Sequence, residues 1–306
     1  MNDHNALRPT ILAVGYKGGL FVSGLLAAGV RPARIVTYRQ AGDRSDAFDA
    51  LLAMGQNGRL IIEENRHPRL ARDPLIFVVG WQFLLQDGLD RAVVFHDSLL
   101  PKNRGFSPTV TTMLKASELV GVSAMRPAKG RDDGPILGNR TISVPPGSDL
   151  KSVVELQSRA MVDLAMEIIE RASHGNLVST PQDEVKATYS LWRDAFDYFI
   201  DWRRSSEEIL RYVQAHGYPY EGARGVLNDQ LITILAASLG PDIAFAIRDP
   251  GKLWEIDGPR ALVTCGAGTL WIEDARDVHG QPFQFRRLRS RFLTADTAWM
   301  RPFLGG

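Results

Sequence analysis

The sequence is poor in cysteine, in excess charge of one sign and in long apolar runs. Its 306 residues contain a single cysteine, Cys265, which excludes an internal disulfide and any site built from several cysteines. The 36 basic and 35 acidic side chains nearly balance. We therefore expect no strong nucleic-acid binding, which requires a basic surface. No apolar run approaches the roughly 18–20 residues needed to span a bilayer.

The remaining composition is that of an ordinary globular protein, with 44% hydrophobic residues. Residues 1–8 are polar, and the apolar run after them is typical of a first strand rather than of a secretion signal. Four of the six histidines, at 67, 174, 216 and 279, do not have metal-ligand spacing with each other. We expect a cytoplasmic protein with no membrane partner and no metal.

The first half alternates short apolar runs with helical patterns, which is typical of parallel βαβ units and predicts a Rossmann-like α/β domain. Continuous apolar strands of this length suit a parallel sheet that is covered on both faces. The predicted strands are Thr10–Val14, Ala33–Tyr38, Leu60–Ile62, Leu75–Val79, Ala92–Phe95, Val120–Met125 and Thr141–Val144. The predicted helices are Gly18–Ala28, Thr109–Ser117 and a long one capped by Ser148 and ended by Gly175.

The second half predicts a small antiparallel, OB-like β-barrel after one helix, Ser206–His216. Glycine and proline separate its short alternating segments at close spacing. These predicted strands are Leu231–Ala236, Ile243–Ile247, Lys252–Ile256, Ala261–Thr264 and Thr269–Glu273. The predicted organisation is a catalytic domain over residues 1–180, a linker over 181–205 and the barrel over 206–306.

Two segments concentrate polar side chains in loops after apolar strands. Phe95–Pro108 (FHDSLLPKNRGFSP) places His96 at the carboxyl end of a buried strand, which is where open parallel sheets hold their ligands. Lys129–Leu137 (KGRDDGPIL) sets Asp132 and a second aspartate in a glycine-flanked loop. Each segment alone has an ordinary structural explanation, either as a satisfied histidine or as a turn in which aspartate bonds its own backbone.

Together the two segments resemble the folate-dependent formyltransferase family, which includes methionyl-tRNA, glycinamide ribonucleotide and amino-sugar formyltransferases. In that family a strand ends in Asn-x-His-x-Ser-Leu-Leu-Pro, followed by Arg-Gly and later by Asp-x-Gly-x-Ile. The residues at these places are His96, Ser98, Leu99, Leu100, Pro101, Arg104, Gly105, Asp132, Gly134 and Ile136.

The resemblance extends to the C-terminal half. The methionyl-tRNA and amino-sugar branch has Ile-Asp-Trp before a helix and Pro-Tyr-x-Gly-Ala before the barrel. The corresponding residues here are Ile200, Asp201, Trp202, Pro219, Tyr220, Gly222 and Ala223. The resemblance thus covers nearly the whole chain and favours the two-domain branch.

The resemblance implies a reaction and roles for particular residues. It implies formyl transfer from 10-formyltetrahydrofolate to an amine, in which His96 hydrogen-bonds the formyl oxygen and moves protons while Asp132 orients the histidine or holds a water. Ser98, Leu99, Leu100 and Pro101 would form the wall beside the folate. The family holds the pterin ring in the loop that here contains Gly80, Trp81, Gln82 and Phe83, although aromatic residues there also suit core packing.

One residue departs from the family pattern. The asparagine two positions before the family's histidine is Val94 here, and an apolar side chain cannot donate to an oxyanion. Loss of one such donor typically costs about 2.7–4 kcal/mol of transition-state stabilisation. Two alternatives to formyl transfer therefore stay open: a different acyl or one-carbon donor, and a catalytically silent folate-binding or regulatory protein.

The acceptor is expected to be a small amine, either a nucleotide-linked amino sugar or a siderophore or antibiotic precursor. Residues 39–65 do not form a basic loop, and Gln214 stands where the family often has arginine, so methionyl-tRNA is the less favoured acceptor. The barrel could bind the acceptor, pack in a homodimer or complete the fold. Fold alone does not decide between these roles.

Overall fold

A computed structural model describes residues 7–56 and 60–294. The chain divides into two compact units. The first takes in most residues up to Leu191, and the second runs from Trp192 onward and also includes the short stretches 113–116 and 147–150. The division falls inside the predicted linker, 181–205, where the structure has two short 3-10 helices, Glu184–Lys186 and Ala195–Tyr198, and a two-residue strand between them.

The first unit is an α/β structure, as expected. Its strands are β1 (Thr10–Ala13), β2 (Arg34–Thr37), β3 (Ile62–Glu64), β4 (Ile76–Val79), β5 (Ala92–His96), β6 (Arg104–Gly105), β7 (Leu119–Met125), β8 (Ile136–Ser143) and β9 (Tyr189–Ser190). Its helices are α1 (Gly15–Ala27), α2 (Ala47–Gln56), α3 (Pro108–Leu114) and α4 (Leu150–Ser173).

Seven of these strands form one sheet in the order β3-β2-β1-β4-β5-β7-β8. The five strands from β3 to β5 pair in parallel, which confirms the predicted Rossmann-like arrangement. β7 pairs antiparallel with both β5 and β8, so the sheet is mixed rather than wholly parallel. The β7–β8 pair is antiparallel because residues 126–135 join the two strands without a crossover helix.

Burial explains why β1 and β4 form the centre of the sheet. All four residues of each are buried, because α1 and α4 pack on one face and a separate apolar cluster covers the other. β8 was predicted too short. It begins at Ile136 rather than Thr141, and its residues alternate between half-buried and exposed, so a search for continuous apolar runs misses its first half.

The second unit is an antiparallel sheet beside one helix, α5 (Ser206–Ala215). Its strands are β10 (Ala223–Leu227), β11 (Gln230–Leu239), β12 (Leu253–Asp257), β13 (Arg260–Thr264) and β14 (Thr269–Arg276), in the order β10-β11-β14-β13-β12. Both edge strands meet the same segment, since Phe292 bridges to Leu227 of β10 and Arg291 bridges to Lys252 beside β12. This strap across the two edges gives the sheet a barrel-like closure.

Two predictions for this unit were incomplete or wrong. β10 was missed because Arg224 and Gly225 interrupt its apolar pattern, and the turn after it has positive φ at Asn228 and Asp229, typical of a tight hairpin. The segment Ile243–Ile247 is not a strand. Both edges of β11 are already occupied by β10 and β14, and prolines at 241 and 250 flank the segment, so it has no free edge on which to pair.

The core of the second unit contains two polar groups with strongly shifted acidity. Cys265 is fully buried, as expected, and burial raises the pKa of its thiol to about 12, which leaves it unreactive at neutral pH. His216 is also fully buried, and burial lowers the pKa of its ring from its usual 6.5 to about 4. Its Nδ1 lies 2.8 Å from the Tyr212 carbonyl oxygen, whereas Nε2 has no hydrogen-bond partner among the described residues.

The lowered pKa of His216 predicts acid sensitivity of this unit. Between pH 6.5 and 4 the unfolded chain binds a proton at this ring that the folded chain does not, so the free energy of unfolding falls as the pH drops through that range. The full loss is roughly 3 kcal/mol by this linkage. Urea denaturation followed by fluorescence at pH 7, 6, 5 and 4 measures it.

The variant H216Q should remove most of this slope, because glutamine keeps a donor for Tyr212 but does not titrate. The matched control is H279Q, since His279 is an exposed histidine of the same unit, and it should retain the wild-type slope. A wild-type slope in H216Q would contradict the assignment.

Candidate active site

The site is built around the carboxyl end of β5. Side chains alternate across a strand, and here Ala92 and Val94 join the apolar cluster that includes Trp81, whereas Phe95 packs with Phe21 of α1 on the opposite face. His96, two residues after Val94, therefore leaves the strand on the Val94 side. It is the last residue of β5 and is only 8% exposed.

The hydrogen bonds of the His96 ring determine its tautomer. Nε2 lies 2.9 Å from the backbone carbonyl oxygen of Asn103. A carbonyl oxygen can only accept, so Nε2 carries a proton and donates it. In the neutral ring Nδ1 is therefore the basic nitrogen, and it lies 3.7 Å from Oδ2 of Asp132.

Asp132 is held in place by one hydrogen bond to its side chain and one to its backbone carbonyl. Its Oδ2 accepts from the Gly105 N–H at 2.8 Å, and its carbonyl accepts from Nε2 of Gln182 at 2.8 Å. Its φ of +50° is in the left-handed region, which aspartate tolerates better than most residues. The turn that follows requires glycine, because a Cβ on Gly134 would lie 1.7 Å from the Arg126 carbonyl oxygen. The structure thus brings the two predicted catalytic residues together.

The arrangement can hold and move one proton. Oδ2 of Asp132 faces Nδ1, the ring nitrogen that is free to accept a proton. The ring can accept a proton at Nδ1 without losing its hydrogen bond from Nε2 to Asn103. This pair can therefore act as a general base followed by a general acid.

Neither Val94 nor Asn103 supplies the donor that the asparagine provides in the family pattern. Val94 pairs with Val78 and Met125 in the sheet and packs against apolar neighbours. Asn103 is close to the ring only through its carbonyl. Its amide Nδ2 donates to Oγ1 of Thr112 at 3.1 Å and so is not directed at an oxyanion beside His96.

The predicted folate-wall residues form a tightly bonded turn after His96. Ser98 Oγ donates to the Lys102 carbonyl at 2.6 Å, and Ser123 Oγ donates to the Ser98 carbonyl at 2.7 Å. Ser123 Oγ also accepts from the Leu100 N–H at 3.1 Å. Leu99 lies over Gly121, and Pro101 is half-buried. Contact of this turn with folate stays a prediction.

The predicted pterin loop follows β4, the neighbour of β5. Gly80 has a φ of +69°, and a Cβ there would lie 2.5 Å from the Val14 carbonyl oxygen. The Gln82 N–H donates to the Tyr38 hydroxyl at 3.3 Å, and the rings of Trp81 and Phe83 both contact Tyr38 edge-on, at 5.0 and 5.1 Å between centroids. The Trp81 Nε1 is buried and has no hydrogen-bond partner among the described residues.

Sequence reasoning missed the role of Arg104, which it treated only as part of a motif. Its side chain is 1% exposed. It donates to Oε1 of Gln182 at 2.9 and 3.0 Å and to both carboxylate oxygens of Glu184 at 2.7 and 2.9 Å. Glu184 raises the pKa of the guanidinium. Because these partners lie nearly 80 residues away, no local pattern could have revealed them.

Arg104 thereby ties β6, which follows Asn103, to the segment that contains β9. β6 and β9 pair in parallel, Arg104 with Tyr189 and Gly105 with Ser190. Asn103 and Gly105 contact His96 and Asp132, respectively. The arginine of the family motif is therefore a clamp for the backbone that carries the catalytic contacts.

Replacement of the clamp should destabilise the first unit. R104M keeps most of the side-chain volume but leaves Oε1 of the half-buried Gln182 without its donor. Loss of a hydrogen-bond partner from the protein interior costs about 1–3 kcal/mol. Urea denaturation measures the change. The matched control is R140M, because Arg140 forms an exposed ion pair with Glu167 and such pairs contribute about 0–1 kcal/mol. Equal effects of the two variants would contradict the clamp.

Two further searches covered the part of the chain that the structure describes. Within residues 7–56 and 60–294 every helix is too short or too polar to cross a membrane. The same residues hold no group of three or more histidine, cysteine, aspartate or glutamate side chains that could bind a metal ion.

Known proteins with related sequences are formyltransferases. Residues 194–291 match the model described as "Formyl transferase, C-terminal domain". The methionyl-tRNA formyltransferase of Heliobacterium modesticaldum is 26% identical over 197 residues, 62% of this chain and 62% of that protein. That of Nitrosospira multiformis is 29% identical over 181 residues, 59% of this chain and 57% of that protein. The chain is therefore similar to members of the formyltransferase family. Its match spans less than two thirds of these two relatives' length.

Solved structures share the fold of this chain. HypX from Aquifex aeolicus in complex with tetrahydrofolic acid superposes with a TM-score of 0.66 at 16% identity, over 98% of this chain and 48% of that chain. WlaRD, a sugar 3N-formyl transferase with dTDP and 5-N-formyl-THF, superposes with a TM-score of 0.64 at 15% identity, over 90% of this chain and 99% of that chain.

Proposed function

We propose that the protein is an N-formyltransferase that moves a formyl group from 10-formyltetrahydrofolate to the amine of a small metabolite. The observation that carries the proposal is the placement of His96 and Asp132. His96 ends β5, and Asp132 reaches it from the loop between β7 and β8. Each is bonded to the backbone next to Arg104, and the basic Nδ1 of the ring faces the carboxylate.

The loop after β4 fits a folate donor. Trp81, Leu85 and Val94 form an apolar surface on the His96 side of the sheet, and a flat ring system can pack on such a surface. The buried Nε1–H of Trp81 lacks a partner among the described residues, and a heteroaromatic acceptor would satisfy it. The superposed HypX and WlaRD structures contain tetrahydrofolic acid and 5-N-formyl-THF, which supports the same class of donor here.

The residues of the site would divide the work as follows. The bound folate supplies the formyl group as an electrophile. His96 Nδ1 takes the proton that the attacking amine loses, and Asp132 stabilises the resulting imidazolium. The protonated ring then presents Nδ1–H as a donor to negative charge that develops beside it and can pass the proton to the leaving nitrogen. The clamp formed by Arg104 keeps both groups in place.

Val94 supports a second candidate, in which the same fold performs a different transfer or only binds folate. Its side chain lies on the His96 side of β5 and offers no hydrogen-bond donor, so the imidazolium would be the main donor at the site. The two candidates differ in a measurable way. A protein with either function binds folate if the pocket is retained, but only an N-formyltransferase forms an N-formyl product.

A small acceptor is favoured over methionyl-tRNA. The structure from Helicobacter canadensis is a complex with folinic acid and dTDP-3-aminofucose, and it superposes over 98% of its own chain, which supports an amino-sugar acceptor. The alternative small acceptor is a siderophore or antibiotic precursor. Methionyl-tRNA formyltransferases are among the relatives, so tRNA belongs in the test.

Folate binding is the first prediction of this proposal. Isothermal titration with 5-formyltetrahydrofolate should give saturable one-to-one binding, and W81A should weaken it about tenfold or more, because loss of base stacking or ring contact is worth roughly 1–3 kcal/mol. The matched control is W254A, since Trp254 is a half-exposed tryptophan of the second unit, and it should bind as the wild type does. Absence of binding in the wild type would remove folate as the donor.

Catalysis provides the second prediction. With 10-formyltetrahydrofolate and a panel of amino-sugar nucleotides, small amines and methionyl-tRNA, H96A and D132N should each lower kcat on the order of 10²–10⁴-fold. Their affinity for 5-formyltetrahydrofolate should stay close to that of the wild type. H174A is the control, because His174 is an exposed histidine far along α4 from the site.

The same assay separates the alternatives. Formylation of methionyl-tRNA alone, with tight and salt-dependent tRNA binding, would show that the acceptor is methionyl-tRNA and not a small amine. Folate binding without formylation of any acceptor would favour the second candidate. Turnover that survives both H96A and D132N would reject the proposed catalytic pair.

A further inference from the structure

The carboxyl end of β5 is anchored on the face of the sheet opposite to His96. Phe95 and Asp97 leave the strand on the α1 side, because successive side chains point to opposite faces. Phe95 packs against Phe21 of α1 at 5.1 Å between ring centroids. Asp97 forms an ion pair with Lys17, one turn before Phe21 on the same helix. The residue next to the catalytic histidine is thus tied to α1.

The Lys17–Asp97 ion pair is largely withdrawn from solvent. The two side chains are 19% and 14% exposed, so the pair is weakly screened, and removal of one partner leaves a poorly solvated charge. Asp97 Oδ1 is buried and has no other hydrogen-bond partner among the described groups, which makes Lys17 the main compensation for this carboxylate.

A second contact holds the backbone of the same residue. Gln157 of α4 is fully buried. Its Nε2 donates to the carbonyls of Asp97 at 3.1 Å and Gly121 at 3.0 Å, and its Oε1 accepts from Thr109 Oγ1 at 2.9 Å. All hydrogen-bonding groups of this amide are therefore engaged, apart from one lone pair of Oε1. The amide joins α4 to α3, to β7 and to the residue that follows β5.

We propose that Lys17 and Gln157 are positioning residues for His96, acting through Asp97. The role rests on the proposed function, since it assigns them to the same catalytic ring. His96 and Asp97 share a peptide unit, so any rotation of Asp97 turns the histidine away from Asn103 and Asp132. Catalytic groups must be held within about 0.5 Å of their working geometry. The ion pair and the amide fix the strand end from the side of the sheet on which α1 and α4 pack.

Kinetics and binding give the first part of the test. The variants K17M and Q157L should lower kcat about tenfold, because small misplacements at a catalytic group reduce the rate strongly, and should leave the Kd for 5-formyltetrahydrofolate within about twofold. K17R should recover most of kcat by restoring the ion pair. The double variant K17M/D97N should be no worse than the single ones, since both remove the same contact. K252M, which breaks an exposed lysine pair in the second unit, is the control.

A spectroscopic readout makes the test independent of turnover. In protein labelled with ¹⁵N-histidine, the His96 ring can be assigned among six histidines with H96A. K17M and Q157L should shift its Nδ1 and Nε2 signals and speed exchange of the Nε2 proton, whereas K17R and K252M should not. Unchanged His96 signals in both variants, or a kcat loss that follows the melting temperature and is not rescued by K17R, would overturn the proposal. If the His96 signals change in these variants but the protein transfers no formyl group, the proposed function is rejected and the positioning role is retained.

Discussion

The site depends on the short backbone stretch from Asn103 to Gly105 more than on any side chain. The carbonyl of Asn103 accepts from His96, and the N–H of Gly105 donates to Asp132. Both catalytic candidates are therefore bonded to the same short stretch of backbone. That loop would be free to move if it were not paired with β9 and closed over the Arg104 guanidinium. Backbone groups make good anchors because they lose little conformational entropy once the strand is formed.

The charges around the site are arranged so that each has a specific partner. Arg104 is bound by Glu184 and Lys17 by Asp97, which leaves Asp132 as the carboxylate that faces the imidazole. A buried charge without a partner would be costly, and a stray cation near Asp132 would compete with the histidine for it. Asp132 is therefore available to the His96 ring, whereas the carboxylates of Glu184 and Asp97 stabilise the structure.

In the second unit the main physical constraint is the protection of the sheet edges. Its five-stranded sheet has two edges, and exposed edges invite pairing with other chains. The segment at Arg291–Phe292 bridges toward both of them, and Phe292 stacks on the fully buried Trp202 at 4.8 Å between ring centroids. Trp202 belongs to the Ile-Asp-Trp motif, so this motif serves the core of the unit. The buried His216 next to α5 adds a titratable group that is compatible with the core only in its neutral form.

Local pattern determined much of this protein. Apolar runs located β1, β4 and β5, the Ser205–Glu208 capping box lies at the predicted start of α5, and the spacing around His96 and Asp132 indicated the family and the pair that the structure brings together. These are properties of neighbouring residues, which a sequence displays directly. Only the tertiary structure decided how β7 and β8 pair in the sheet and why Ile243–Ile247 does not form a strand. It also decided the partners of Arg104 and the contacts of Asp97. Each of them depends on which edge or which charge is still available after distant segments have packed, and that information is not present in any local stretch of the chain.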